Sequence, residues 1–83
     1  MPTVLRVQGY RLYFFASDGP EPAHIPIERE DKRAKFWLSP VMLAYNSGFN
    51  GAELRRVRRI VEEHRSVLLE AWNGYFHRTN RSA

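Results

Sequence analysis

The residues whose types could do chemistry fall in two places, a histidine segment in the first half and an arginine stretch in the second. The first reads Glu21-Pro22-Ala23-His24-Ile25-Pro26-Ile27-Glu28. On a strand His24 and Glu28 share a face but stand ~13 Å apart, so they cannot touch. His24 could instead meet a group from a neighbouring strand, such as Arg11 or Tyr13, and serve as a general acid or base. The plain alternative is a surface or hydrogen-bonding histidine next to a turn. A metal site needs several converging ligands, and His24, His64 and His77 are far apart in sequence, so no metal is expected. His64 falls on an apolar helical stripe, where a packed histidine is expected. His77 lies near a helix end, where a cation suits the dipole.

The second place holds Arg55, Arg56, Arg58, Arg59 and Arg65. Arginine forms forked contacts to phosphate that lysine cannot. On a helix Arg55 and Arg59 share the exposed face with Arg56 to one side, while Arg58 and Arg65 lie near the apolar stripe. Arg58–Glu62 and Arg59–Glu63 are candidate pairs at i, i+4, which would dilute the positive field towards the middle of the helix. Arg6, Arg11 and Lys35 could extend the patch if they lie on the same side, and exposed aromatics such as Tyr13 or Trp37 could stack bases. The competing reading is a solvated, salt-bridged helix face, with the rings forming a second apolar face of a sheet.

Composition narrows the field. The chain has 83 residues, 13 basic against 9 acidic for a net charge of +4, and no cysteine. Such a length suits one domain, expected over 1–77 with a flexible basic tail over 78–83. Disulfide scaffolds and cysteine-ligated metals are excluded. There is no P-loop, dinucleotide fingerprint, nucleophile elbow or zinc-protease motif, so no cofactor is expected. No stretch is apolar enough for a signal peptide or membrane span, which makes the cytoplasm the default expectation.

These residues are positioned by strands first and helices second. Thr3–Gln8 and Tyr10–Ala16 alternate as strands around Gly9, and Ser17–Pro22 is a dense turn signal. His24–Arg29 reads as a third strand, at an edge or interrupted because Pro26 lacks an N–H. Ala34–Leu38 is a fourth. Ser39-Pro40 resembles an N-cap with proline at the first helical position, which predicts a short helix over about Pro40–Ser47, stopped by Gly48. Asn50 and Glu53 form a capping-box-like start to a long helix. There Leu54, Val57, Val61, His64, Leu68, Ala71 and Tyr75 repeat at alternating spacings of three and four, as far as about Phe76. A straight helix of that length would span ~39 Å, against a domain radius of gyration of about 12 Å. It must therefore overhang, bend or pack on another molecule, with a kink expected near His64. The expected architecture is α+β: about four mostly antiparallel strands, then one short and one long helix on one face of the sheet.

Taken together, Met1-Pro2-Thr3-Val4-Leu5-Arg6, Gly9-Tyr10-Arg11, Glu21-Pro22-Ala23-His24, Ala34-Lys35-Phe36-Trp37-Leu38 and Leu69-Glu70-Ala71-Trp72-Asn73 resemble a small prokaryotic family, the domain of unknown function 4160 family. The likeness runs over almost the whole chain. It implies a toxin-like component of a type II toxin–antitoxin pair, acting on RNA and neutralised by a small protein partner. Family members carry Pro-Pro-His-x-His before the third strand. Here His24 matches the first histidine, Ala23 replaces the second proline and Pro26 replaces the second histidine, so a histidine pair at i, i+2 is absent.

Three functional readings follow. The first is a toxin–antitoxin component that contacts RNA or DNA through Arg55, Arg56 and Arg59, with Arg11 and Lys35. The second is a non-catalytic protein-interaction module, an inhibitor or adaptor from a mobile element, with a homodimer through the long helix as one form. The third is a small ribonuclease-like enzyme that uses His24 as acid or base, with arginine steadying phosphate charge.

Overall fold

The computed structural model describes residues 3–15 and 19–80, the side chains of 77–80 excepted. The chain is an α+β protein whose five strands precede two helices. The strands are β1 (Thr3–Val7), β2 (Tyr10–Tyr13), β3 (His24–Arg29), β4 (Lys32–Leu38) and β5 (Val41–Ser47), and the helices are α1 (Gly51–Glu63) and α2 (Arg65–Asn80). The sheet is an antiparallel meander in sequence order. Much of the turn expected over Ser17–Pro22, together with residues 81–83 of the expected tail and the side chain of His77, lies outside the described residues.

Three tight turns set the register. Gln8 and Gly9, both at positive φ (52° and 87°), link Val7 to its partner Tyr10. That is the two-residue hairpin geometry whose twist matches the strands it joins. Glu30, at φ 56°, and Asp31 link Arg29 to Lys32. Ser39 and Pro40, joined by a cis peptide bond, link Leu38 to Val41. The helix expected over Pro40–Ser47 is therefore the strand β5. The Ser-Pro pair that resembled a helix start occupies the hairpin turn, and Val41, Met42, Leu43 and Tyr45 find partners along β4. Cross-strand pairing overrides a local helix signal of this strength. Gly48 still ends the element, at φ 104° where an added Cβ would come within 3.1 Å of Lys32 Cγ, but it ends a strand.

Pro26 lies on β3, the central strand of the sheet, and not at an edge. Its missing N–H is accommodated by an interruption: β2 pairs with β3 only at Arg11–Glu28 and Leu12–Ile27, so that ladder stops one residue before Pro26. On its other side Pro26 opposes Lys35.

One face of the sheet makes the core. Tyr10, Leu12, Ile25, Ile27, Phe36 and Leu38 are buried there beneath Val57, Ile60 and Val61 of α1 and Leu68, Trp72 and Phe76 of α2. Each fully buried aliphatic or Phe side chain is worth roughly 1.5–3 kcal/mol over its exposed form, so this two-layer core is what holds the small domain together. The expected long helix is interrupted at His64, the residue between α1 and α2, and the fold has a radius of gyration of 12.6 Å with a longest extent of 44 Å. His64 Nδ1 donates to the Ile60 carbonyl at 2.8 Å, and Arg65 donates to the Leu38 carbonyl at 2.6 Å and to Ser39 Oγ at 2.7 Å. Beyond His64, Leu68, Trp72 and Phe76 face inward, whereas Tyr75 of the predicted stripe is exposed.

Candidate nucleic-acid interface

Helix α1 starts where Asn50 Oδ1 accepts the Glu53 N–H at 2.8 Å, half of a capping box. Its apolar positions Val57, Ile60 and Val61 lie on the sheet, which turns Arg55, Arg56 and Arg59 to solvent. Among the described residues these three arginines have no ion pair, and the Arg59–Glu63 pair expected from spacing is absent. Arg58 does pair with Glu62 at 3.3 Å and reaches the Val41 carbonyl at 3.4 Å. Arg65 is spent on the β4–β5 turn. The cluster thus divides by geometry into two structural arginines and three open cations.

The other two predicted contacts lie elsewhere. Arg11 alternates with the core residues Tyr10 and Leu12, and Lys35 with Ala34 and Phe36, so both project from the sheet face opposite the helices. Arg11 is engaged: it bonds Thr3 Oγ1 at 2.8 Å, pairs with Glu28 at 3.1 Å and lies 4.5 Å over the Tyr13 ring. Lys35 pairs with Glu21 at 3.4 Å and sits 5.1 Å from the Trp37 ring centre. They do not extend the α1 surface; Lys35 belongs to a second one on the open face of the sheet.

That second surface is a groove of about 470 Å³ on the uncovered face of the sheet. Tyr13, Phe15, His24, Pro26, Trp37 and Tyr45 supply its rings, and Arg33 and Lys35 its full charges. Pro26, Lys35 and Tyr45 form one cross-strand row, since Lys35 pairs with each of the other two. A bulge at Ala44, which has no partner between the Lys35–Tyr45 and Phe36–Leu43 pairs, shifts the register of β5 there. Of the two rings expected to be available for stacking, Tyr13 is buried and Trp37 half-buried; Tyr45, 56% exposed, is the ring presented most openly. Sequence patterning could not find Tyr45, because it fell inside the segment read as a helix.

His24 is built into the structure. Only 1% of it is exposed, its ring packs 4.9 Å from Trp72 and 5.5 Å from Trp37, and Nδ1 donates to the Pro22 carbonyl at 2.8 Å. Glu21 lies 3.7 Å from the same nitrogen. This arrangement fixes the ring at the end of the groove and joins the sheet to α2. Among the described residues no group of three or more histidine, aspartate or glutamate side chains is placed to hold a metal ion, and no helix is long and apolar enough to cross a membrane.

A further ionic cluster was missed in the sequence. Glu53, read there as a capping residue, turns its carboxylate inward to the Tyr10 hydroxyl (3.0 Å) and Lys32 (3.2 Å), with Arg29 at 3.8 Å. Burial pushes its carboxyl up. The hydrogen bonds from Tyr10 and Lys32 and the charges of Lys32 and Arg29 outweigh that and hold it below the usual carboxylate value.

The chain belongs to the family described as Domain of unknown function (DUF4160), whose family model matches residues 9–73. No curated protein and no solved structure matches it.

Proposed function

We propose that the protein is a nucleic-acid-binding component of a type II toxin–antitoxin pair, working in the cytoplasm and contacting RNA through the outer face of α1. The observation that supports this most directly is the set of three open guanidinium groups, Arg55, Arg56 and Arg59, on one helix where Glu53 and Glu62 are paired and Glu63 is the one exposed carboxylate without an ion pair among the described residues. Neutralising phosphates releases counterions, so an unpaired cationic face favours a polyanion, whereas cations already held by carboxylates do not. A net charge of +4 adds long-range attraction. The toxin–antitoxin role rests on the family resemblance, and a small acidic protein partner would suit the same surface.

The test is fluorescence anisotropy with a labelled single-stranded RNA. Binding at low salt that weakens steeply as salt is added supports the reading, and no binding at low salt removes it.

The alternative, a protein-interaction module, draws on β5. This edge strand exposes Met42, Leu43 and Tyr45, and edge strands are templates for strand addition. A complex with a neighbouring gene product that forms only through β5, with no RNA bound, would favour it.

A further inference from the structure

The groove on the open face of the sheet lies on the far side of the molecule from the α1 arginines, and the α1 reading does not use it. Its volume, about 470 Å³, lies within the range of ligand sites, roughly 300–1,000 Å³. Its walls combine two chemistries. Pro26, Trp37 and Tyr45 give flat apolar surface, and both fully charged side chains that line it, Arg33 and Lys35, are cations. Arg33 is exposed and has no ion pair among the described residues. Lys35, although paired with exposed Glu21, remains at the wall. A purely apolar ligand would gain nothing from the cations, and a simple anion nothing from the rings. A base joined to a phosphate uses both.

We propose that this groove receives an unpaired nucleobase of a single-stranded RNA, stacked on Tyr45, with its phosphate against Arg33, the cation of the wall that no carboxylate holds among the described residues. The inference rests on the nucleic-acid reading above and narrows it to strands whose bases are unstacked. In a duplex the bases are paired and their faces covered, so only the backbone can be held, and α1 can do that alone. A sheet with aromatic rings and a basic rim is a sequence-tolerant platform for single strands, because every base has a π face. Rigid positioning comes from the cross-strand row, in which Lys35 is flanked by Pro26 on one side and Tyr45 on the other.

The experiment compares binding of one labelled RNA, as a single strand and as a duplex, to the wild type and to Tyr45→Ala, Tyr45→Phe and Arg33→Gln. Tyr45 and Arg33 are exposed, so the fold tolerates these changes. Tyr45→Ala is expected to weaken single-strand binding about tenfold, the scale of one base–aromatic stack, and to leave duplex binding within about twofold. Tyr45→Phe should bind as the wild type does, and Arg33→Gln should weaken the single strand more than the duplex. Equal single-strand affinity for the wild type, Tyr45→Ala and Arg33→Gln overturns the groove assignment and leaves the α1 reading standing. Failure of the wild type to bind either RNA at low salt overturns both.

Discussion

The Tyr10 hydroxyl donates to Glu53 Oε2 across 3.0 Å, joining the second strand to the first turn of α1. The same carboxylate takes Lys32 at 3.2 Å. The end of the helix that presents the open arginines is therefore fixed by a buried tyrosine on one side and by a charge cluster on the other.

Glu53 makes a pH prediction. Its carboxyl is held below the ordinary value in the folded chain, so its contribution is present above the unfolded value near 4.5 and is lost as pH falls through the folded one. Glu53→Gln should lower the thermal midpoint at pH 7. The gap to the wild type should narrow as the pH is taken well below 4.5. Thermal unfolding of both proteins at neutral and acid pH checks the sign, and a gap that widens in acid counts against the cluster.

Arg65 should behave as a structural residue. Its removal leaves the Leu38 carbonyl and Ser39 Oγ without their partner. Arg65→Ala should cost about 1.5 kcal/mol, as for a hydrogen bond to a charged group. Arg65→Lys should recover only part of that, since lysine lacks the fork. Denaturant unfolding measures both.

His24→Ala should destabilise by about 2–3 kcal/mol, in the range of truncating a large buried side chain. The near-ultraviolet circular dichroism should change with it, because His24 packs on both Trp37 and Trp72. A variant as stable as the wild type would mean that this ring does not join α2 to the sheet.

Much of this fold was legible in the sequence wherever the hydrophobic period was strong. The strands around Gly9, the third and fourth strands, the Asn50 cap and the break at His64 all announced themselves through alternation or punctuation. β5 did not. Ser39-Pro40 carries the same local chemistry at a helix start and in a tight hairpin, and only the partner strand β4 decides between them. That one misreading concealed Tyr45 and with it the groove. The three open arginines were legible because helical spacing alone separates them from the apolar stripe. The engagement of Arg11 with Glu28 and Thr3 was not, since it depends on strand register. Glu53 was found for the wrong reason: its N–H is capped as the spacing suggests, but its carboxylate serves the sheet.

The most direct measurement of the central claim is the slope of log affinity against log salt for single-stranded RNA, in the wild type and in a variant with Arg55, Arg56 and Arg59 all replaced by glutamine. Each lost phosphate contact removes about 0.7 from the slope on a single strand, so the variant should be shallower by about 2. Its unfolding midpoint should stay close to that of the wild type, because these side chains are exposed and unpaired. Identical slopes in two equally folded proteins would contradict a polyanion-binding face on α1.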